Sequence, residues 1–164
     1  FYTLFTLDHI LGIGAGFTDR ISRKLRDEQG LAYTVSANIS LSAEVEPGVF
    51  SAYIGTSPEN VPRAIEGFLQ EIHAIRTTPV SQEELALAQN YITGSYVFNF
   101  ETGHQLARYL INMERYQLGD QFIWNFPHLI QSVTIEDIQQ AAQCYLDPEN
   151  YYIASVGKHS ESAS

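Results

Sequence analysis

The hydrophobic period changes at Leu31. From there, Leu31, Tyr33, Val35, Ala37, Ile39 and Leu41 alternate with Ala32, Thr34, Ser36, Asn38 and Ser40. Six apolar positions at period two place one face of a strand against a core. Glu46-Pro47-Gly48 predicts a turn, and Val49 to Thr56 predicts a second strand. The connection is too short for a crossover, so the two strands are expected to pair antiparallel. Tyr151 to Val156 is rich in β-formers and predicts a third strand.

Helical patterns surround this sheet. Leu4, Leu7, Ile10 and Leu11 share a helix face between Phe1 and Leu11, and Gly12 and Gly14 can end that helix. A second short helix is expected from Thr18 or Asp19 to Glu28, stopped by Gly30. Ser57-Pro58-Glu59 reads as an N-cap, a first-turn proline and an acidic first turn. The helix it opens carries the stripe Val61, Ala64, Ile65, Phe68, Leu69, Ile72 and Ile75. Ser81 with Glu84 forms a capping box ahead of Leu85, Ala88 and Ile92. A helix from about Thr102 shows Leu106, Leu110 and Met113. Phe122 to Ile130 is a short apolar helix, and Thr134 with Asp137 opens the last one, ended by Asp147-Pro148.

The order predicts an α+β fold: a three-stranded antiparallel sheet with helices packed on one face, as a two-layer sandwich. Three strands are few for so many helices. The chain also opens at Phe1 inside a helical pattern, with no charged leader region. A piece of a longer protein is therefore expected, with one strand missing just before Phe1. Residues 1–157 read as one domain and 158–164 as a flexible tail.

Composition excludes several classes of function. With 19 acidic residues against 9 Lys plus Arg, the net charge of −10 repels phosphate backbones, so nucleic acid is not an expected partner. No apolar run is long enough to span a membrane. A soluble chain is expected, with the choice between cytoplasm and periplasm open. Cys144, the one cysteine, reads as a small buried helix residue.

The side chains that carry chemistry are sparse. His9, His73, His104, His128 and His159 have no metal-ligand spacing, and neither His-Glu-x-x-His nor His-x-x-Glu-His occurs. They read as surface or capping histidines, so no metal is expected on this chain. Gly12-Ile13-Gly14-Ala15-Gly16 lacks the context of a nucleotide loop and reads as a turn, or as backbone that approaches another chain closely. No Gly-x-Ser-x-Gly elbow exists. Glu83-Glu84 and Asp27-Glu28 point to different sides of helices and are expected to be solvated. The one unusual concentration is basic: Arg20, Arg23, Lys24 and Arg26 hold four of the nine basic residues within seven positions. The turn Gln29-Gly30 brings Arg26 and Tyr33 toward one region. A guanidinium and a phenol are donors suited to a peptide carbonyl or an oxyanion. A plainer reading is also open: a cation at a helix end and an aromatic on the buried face of a strand.

The stretch Thr18-Asp19-Arg20-Ile21-Ser22-Arg23-Lys24-Leu25-Arg26-Asp27-Glu28-Gln29-Gly30-Leu31-Ala32-Tyr33 resembles a signature of the pitrilysin or insulinase-like zinc peptidases, in their bacterial and mitochondrial-processing-peptidase-like branch. Asp8-His9-Ile10-Leu11-Gly12 before it, and Pro47-Gly48-Val49-Phe50 and Gly55-Thr56-Ser57-Pro58-Glu59-Asn60 after it, match in order. Asp19 departs from the usual small residue. The resemblance implies the second, non-zinc domain of such a peptidase, with the zinc carried by a homologous domain or subunit. It implies that Arg26 and Tyr33 bind a peptide substrate and stabilise the oxyanion formed when zinc-activated water attacks. It also implies that the fragment alone is inactive. The family includes non-catalytic members, so a scaffold, assembly or peptide-binding subunit is the alternative.

Overall fold

A computed structural model describes residues 1–14, 18–42 and 46–157. Helix α1, Tyr2–Leu11, buries Leu7, Ile10 and Leu11. Its end is fastened to the sheet. Asp8 is fully buried, and its carboxylate accepts the N–H groups of Ile39 at 2.9 Å and Ser40 at 2.7 Å. Burial pushes this carboxyl above its ordinary pKa, and the two donors oppose that rise. One residue past α1, the Gly12 carbonyl accepts the Ala37 N–H at 3.1 Å. A Cβ on Gly12 would lie 2.2 Å from the Ala37 carbonyl oxygen, so the close approach that glycine permits is to the chain's own strand. Ala15 and Gly16 lie outside the described residues.

The predicted second helix is a π-helix over Ser22–Glu28, entered through Arg20 and Ile21. Asp19 caps it, accepting the Ser22 N–H at 2.7 Å. The wide turn shows in the Gln29 N–H, which donates five residues back to Lys24. Leu25 points inward onto α2, Val61–Thr77, so closely that a Cβ on Gly67 would sit 2.2 Å from its Cδ2.

Strands β1, Val35–Asn38, and β2, Ser51–Ile54, pair antiparallel with Val35 opposite Ile54 and Asn38 opposite Ser51. The ladder is shorter than the alternation predicts. Leu31 to Tyr33 lie ahead of it, and Asp8 takes the Ile39 and Ser40 N–H groups, after which Ser40–Ser42 coils into a 3-10 turn. The third predicted strand is a correction. The described sheet has two strands, and 151–156 forms no ladder, with Tyr152 and Val156 wholly exposed. A groove of about 550 Å³, lined in part by Phe50, Ile54, Ile65, Phe68, Tyr151 and Ile153, separates that segment from β2. A β-prone sequence needs a neighbour within hydrogen-bond reach, and this one has none among the described residues.

Helix α2 follows a 3-10 turn at Pro58–Asn60. Helices α3 (Gln82–Ser95), α4 (Gly103–Arg115) and α6 (Ile135–Tyr145) each open on a complete capping box, at Ser81/Glu84, Thr102/Gln105 and Thr134/Asp137. A 3-10 turn, Tyr96–Phe100, links α3 to α4, and α5 spans Phe122–Gln131. Helix α1 packs against α3, α5, α6 and β1, while α2 packs on α6. Buried Gln89 of α3 donates its amide to the carbonyls of Ile130 and Val133, both at 2.9 Å, and satisfies the end of α5. Cys144 is exposed on α6, where burial was expected. The fold is α+β, more helical than the sequence pattern predicts. The tail 158–164 falls outside the described residues.

Gly12→Ala is expected to lower the unfolding free energy by about 2 kcal/mol or more, because backbone must move to admit the methyl. Gly94→Ala, in α3 with nothing within 4 Å of its added Cβ, is expected to gain about 0.5–1 kcal/mol. Denaturant unfolding of the two variants checks this contrast.

Candidate functional site

The turn that follows the π-helix is closed by backbone geometry. The Gly30 N–H donates to the Arg26 carbonyl at 3.0 Å, and Gly30 adopts φ +61°, a left-handed conformation that suits glycine. Leu31 then buries its side chain, while its N–H reaches the Leu25 carbonyl at 2.9 Å. From the far side, the Thr56 hydroxyl donates to the Leu31 carbonyl at 2.6 Å. Leu31 is thus held at three points, and Tyr33 emerges two residues later.

The structure brings Arg26 and Tyr33 together. The Arg26 guanidinium carbon lies 5.5 Å from the Tyr33 ring centroid, within cation–π range. Its Nε is 3.9 Å from the Asp27 carboxylate. Tyr33 is 84% exposed, which overturns the plainer expectation of an aromatic on a buried strand face. It precedes the ladder, so the in–out alternation of the strand does not govern it. The Tyr33 hydroxyl makes no hydrogen bond among the described residues. The Arg26 cation and the exposed Tyr33 phenol therefore lie side by side.

The other cationic residues of the cluster do different work. Arg20 forms a two-pronged ion pair with Glu84 of α3, Nε to Oε1 at 2.7 Å and Nη2 to Oε2 at 3.0 Å. The hydrogen bond from Arg20, with help from the Ser81 N–H, holds the Glu84 carboxyl at about 2. Glu84 was expected to be solvated. It is instead shared between its own helix cap and a partner 64 positions away. The capping box signals the first role, and no local pattern signals the second. Lys24 pairs with Glu28 at 3.1 Å. Glu71 of α2 is half-buried near Arg20, Lys24 and Arg23, and burial raises its pKa despite them.

Among the described residues, no group of three His, Cys, Asp or Glu side chains converges on a point that would hold a metal ion. No helix among them is long and apolar enough to cross a membrane.

Glu84 sits below its ordinary value of 4.5. The pair's contribution is therefore complete above about pH 4.5 and is lost as the pH falls toward 2. Glu84→Gln is expected to cost about 1 kcal/mol at pH 7, with the gap to the parent chain closing below pH 4.5. Chemical denaturation at several pH values measures it.

A family model described as the Peptidase M16 inactive domain matches residues 2–92. An uncharacterized zinc protease of Mycobacterium tuberculosis is 23% identical over 152 residues, covering 93% of this chain and 34% of that protein. Another, from Streptomyces coelicolor, is 27% identical over 133 residues, covering 80% of this chain and 28% of that protein. This chain thus spans about a third of the length of the curated relatives it matches. Among solved structures, a peptidase M16 inactive domain from Pseudomonas fluorescens superposes with a TM-score of 0.79 at 22% identity, over 90% of this chain and 34% of that one. A protease from Helicobacter pylori gives 0.70 at 16%, over 90% and 35%. At these identities the structural likeness shows the fold, and the family match covers more than half of the chain. The chain belongs to the inactive-domain family of the M16 zinc peptidases.

Proposed function

We propose that this chain is the substrate-contacting, non-zinc domain of a longer zinc endopeptidase, with the zinc held by a homologous domain or subunit. The pairing of Arg26 and Tyr33 at an exposed, rigidly closed turn carries this reading. Facing a bound peptide, the guanidinium and the phenol would both donate to the scissile carbonyl oxygen. Those bonds strengthen as the oxygen gains negative charge, which lowers the barrier. The 5.5 Å cation–π contact keeps the two donors together before substrate arrives. A two-domain site of this kind assembles when the domains close, so the 164-residue chain alone is expected to be inactive.

The domain boundaries follow the same reading. Residues 1–157 form the domain, and a strand ahead of Phe1 completes the sheet in the groove beside β2. The Gly55 N–H donates to Thr34 and the Ala37 N–H to Gly12, so alternation turns the backbone groups of Ala52 and Ile54 away from β1 and toward that groove. Its apolar floor suits an inserted strand.

In the full-length polypeptide, Arg26→Ala and Tyr33→Phe are each expected to lower kcat/KM on a peptide substrate by about 100-fold. Hydrolysis unchanged within about twofold in both variants removes the pair from catalysis. A full-length sequence lacking His-x-x-Glu-His would favour a scaffold or peptide-binding subunit instead.

A further inference from the structure

Tyr33 stands where a regular sheet would bury it. The ladder pairs Val35 with Ile54, and beyond it the Gly55 N–H donates to the Thr34 carbonyl at 3.1 Å. One step further, the same register would set Tyr33 opposite Thr56. It would also give Tyr33 the face of Val35 and Ala37, both buried, because side chains two apart share a face. Tyr33 is instead mostly exposed. The chain bends at this residue, and its backbone makes no hydrogen bond among the described residues.

The departure has a local cause. Thr56 follows Gly55, and its hydroxyl donates to the carbonyl of Leu31, two residues ahead of Tyr33, at 2.6 Å. Two adjacent residues, Gly55 and Thr56, thus hold Thr34 and Leu31. Ala32 and Tyr33 are left over between those anchors. Surplus residues on one strand are what a β-bulge carries, and a bulge re-aims side chains. Both anchors of the surplus pair are themselves fixed. Leu31 is buried, and its N–H donates to the Leu25 carbonyl at 2.9 Å. Thr56 lies just ahead of the 3-10 turn Pro58–Asn60 that opens into α2, and α2 also receives Leu25 at Gly67. Its side chain branches at Cβ, so χ1 is stiff and the hydroxyl keeps its direction. Among the described residues no other donor reaches the Leu31 carbonyl.

We propose that Thr56 is a positioning residue for the Arg26–Tyr33 site: by taking the Leu31 carbonyl, its hydroxyl holds the surplus residues out of the sheet and aims the Tyr33 phenol outward beside Arg26. The inference rests on the reading of that pair as donors to the substrate carbonyl. Thr56 needs no contact with the substrate to act in this way. Without the hydroxyl, the Leu31 carbonyl loses its partner, and the constraint that keeps Tyr33 off the Val35 face is gone.

Two measurements on the full-length polypeptide test it. Thr56→Val keeps the shape of the side chain and removes the donor. Nitration of Tyr33 by tetranitromethane, followed by peptide mass mapping, is expected to slow by about threefold or more in Thr56→Val and to return to the parent rate in Thr56→Ser. In peptide hydrolysis, Thr56→Val is expected to lower kcat by about tenfold with KM changed less than about threefold. In a Tyr33→Phe background the same substitution is expected to cost about threefold or less, because the donor it aims is already absent. An unchanged nitration rate, or an equal tenfold cost in both backgrounds while Tyr33→Phe alone lowers the rate, overturns the inference and leaves the reading of Arg26 and Tyr33 standing. A tenfold loss in Thr56→Ser overturns it even where Thr56→Val fails to fold. A Tyr33→Phe polypeptide that hydrolyses at the parent rate removes the reading itself, and the inference with it.

Discussion

A single buried carboxylate sets where the helical layer meets the sheet. Asp8 leaves water and accepts two backbone N–H groups from the end of β1. Each bond is charge-assisted, and losing the acceptor would orphan the buried Ile39 donor and the partly buried Ser40 donor. The same contact draws α1 so close to β1 that a glycine must follow the helix. It also ends the pairing with β2, because the Ser40 N–H it takes is unavailable to the ladder. Helix position, strand length and the glycine are three results of one interaction. Because α1 is the element on which α3, α5 and α6 pack, its placement carries to the rest of the core.

The candidate site inherits its order from a second set of constraints. Leu25 and Leu31 are buried on either side of the Gly30 turn and fix the backbone between them. Arg26 and Tyr33 then project outward from a frame that the core holds. Their exposure makes the cation–π contact a modest one, on the order of 0.5–1 kcal/mol. Its value lies in orientation, since the rigidity comes from the leucines and from Thr56. Arg20 reinforces the frame from the other end by tying the π-helix entrance to the cap of α3.

Much of this was readable in the sequence because it is local. The capping residues at Ser81 and Thr134, the helical stripes and the two paired strands follow from period and cap chemistry. The proximity of Arg26 and Tyr33 follows from a glycine turn of known reach. What the pattern could not reveal depends on distant partners. The ladder is cut short by a carboxylate more than 30 positions away, and Glu84 finds its cation 64 positions away. Tyr151 to Val156 has the composition of a strand, but composition supplies no neighbour. Tyr33 continues the alternation of the strand in sequence and stands outside it in space, so its outward direction could not be read from period.

The π-helix has a further consequence for how the site tolerates change. A π-turn holds one residue more than an α-turn. Deleting a residue between Ser22 and Leu25, with Arg20 still held by Glu84, would move Arg26 into the position that Leu25 now occupies. The guanidinium would then face α2 in place of the Leu25 side chain. The aim of the guanidinium is therefore set by a count of residues: point substitutions along the exposed side of this segment leave it alone, whereas a change in length of one does not.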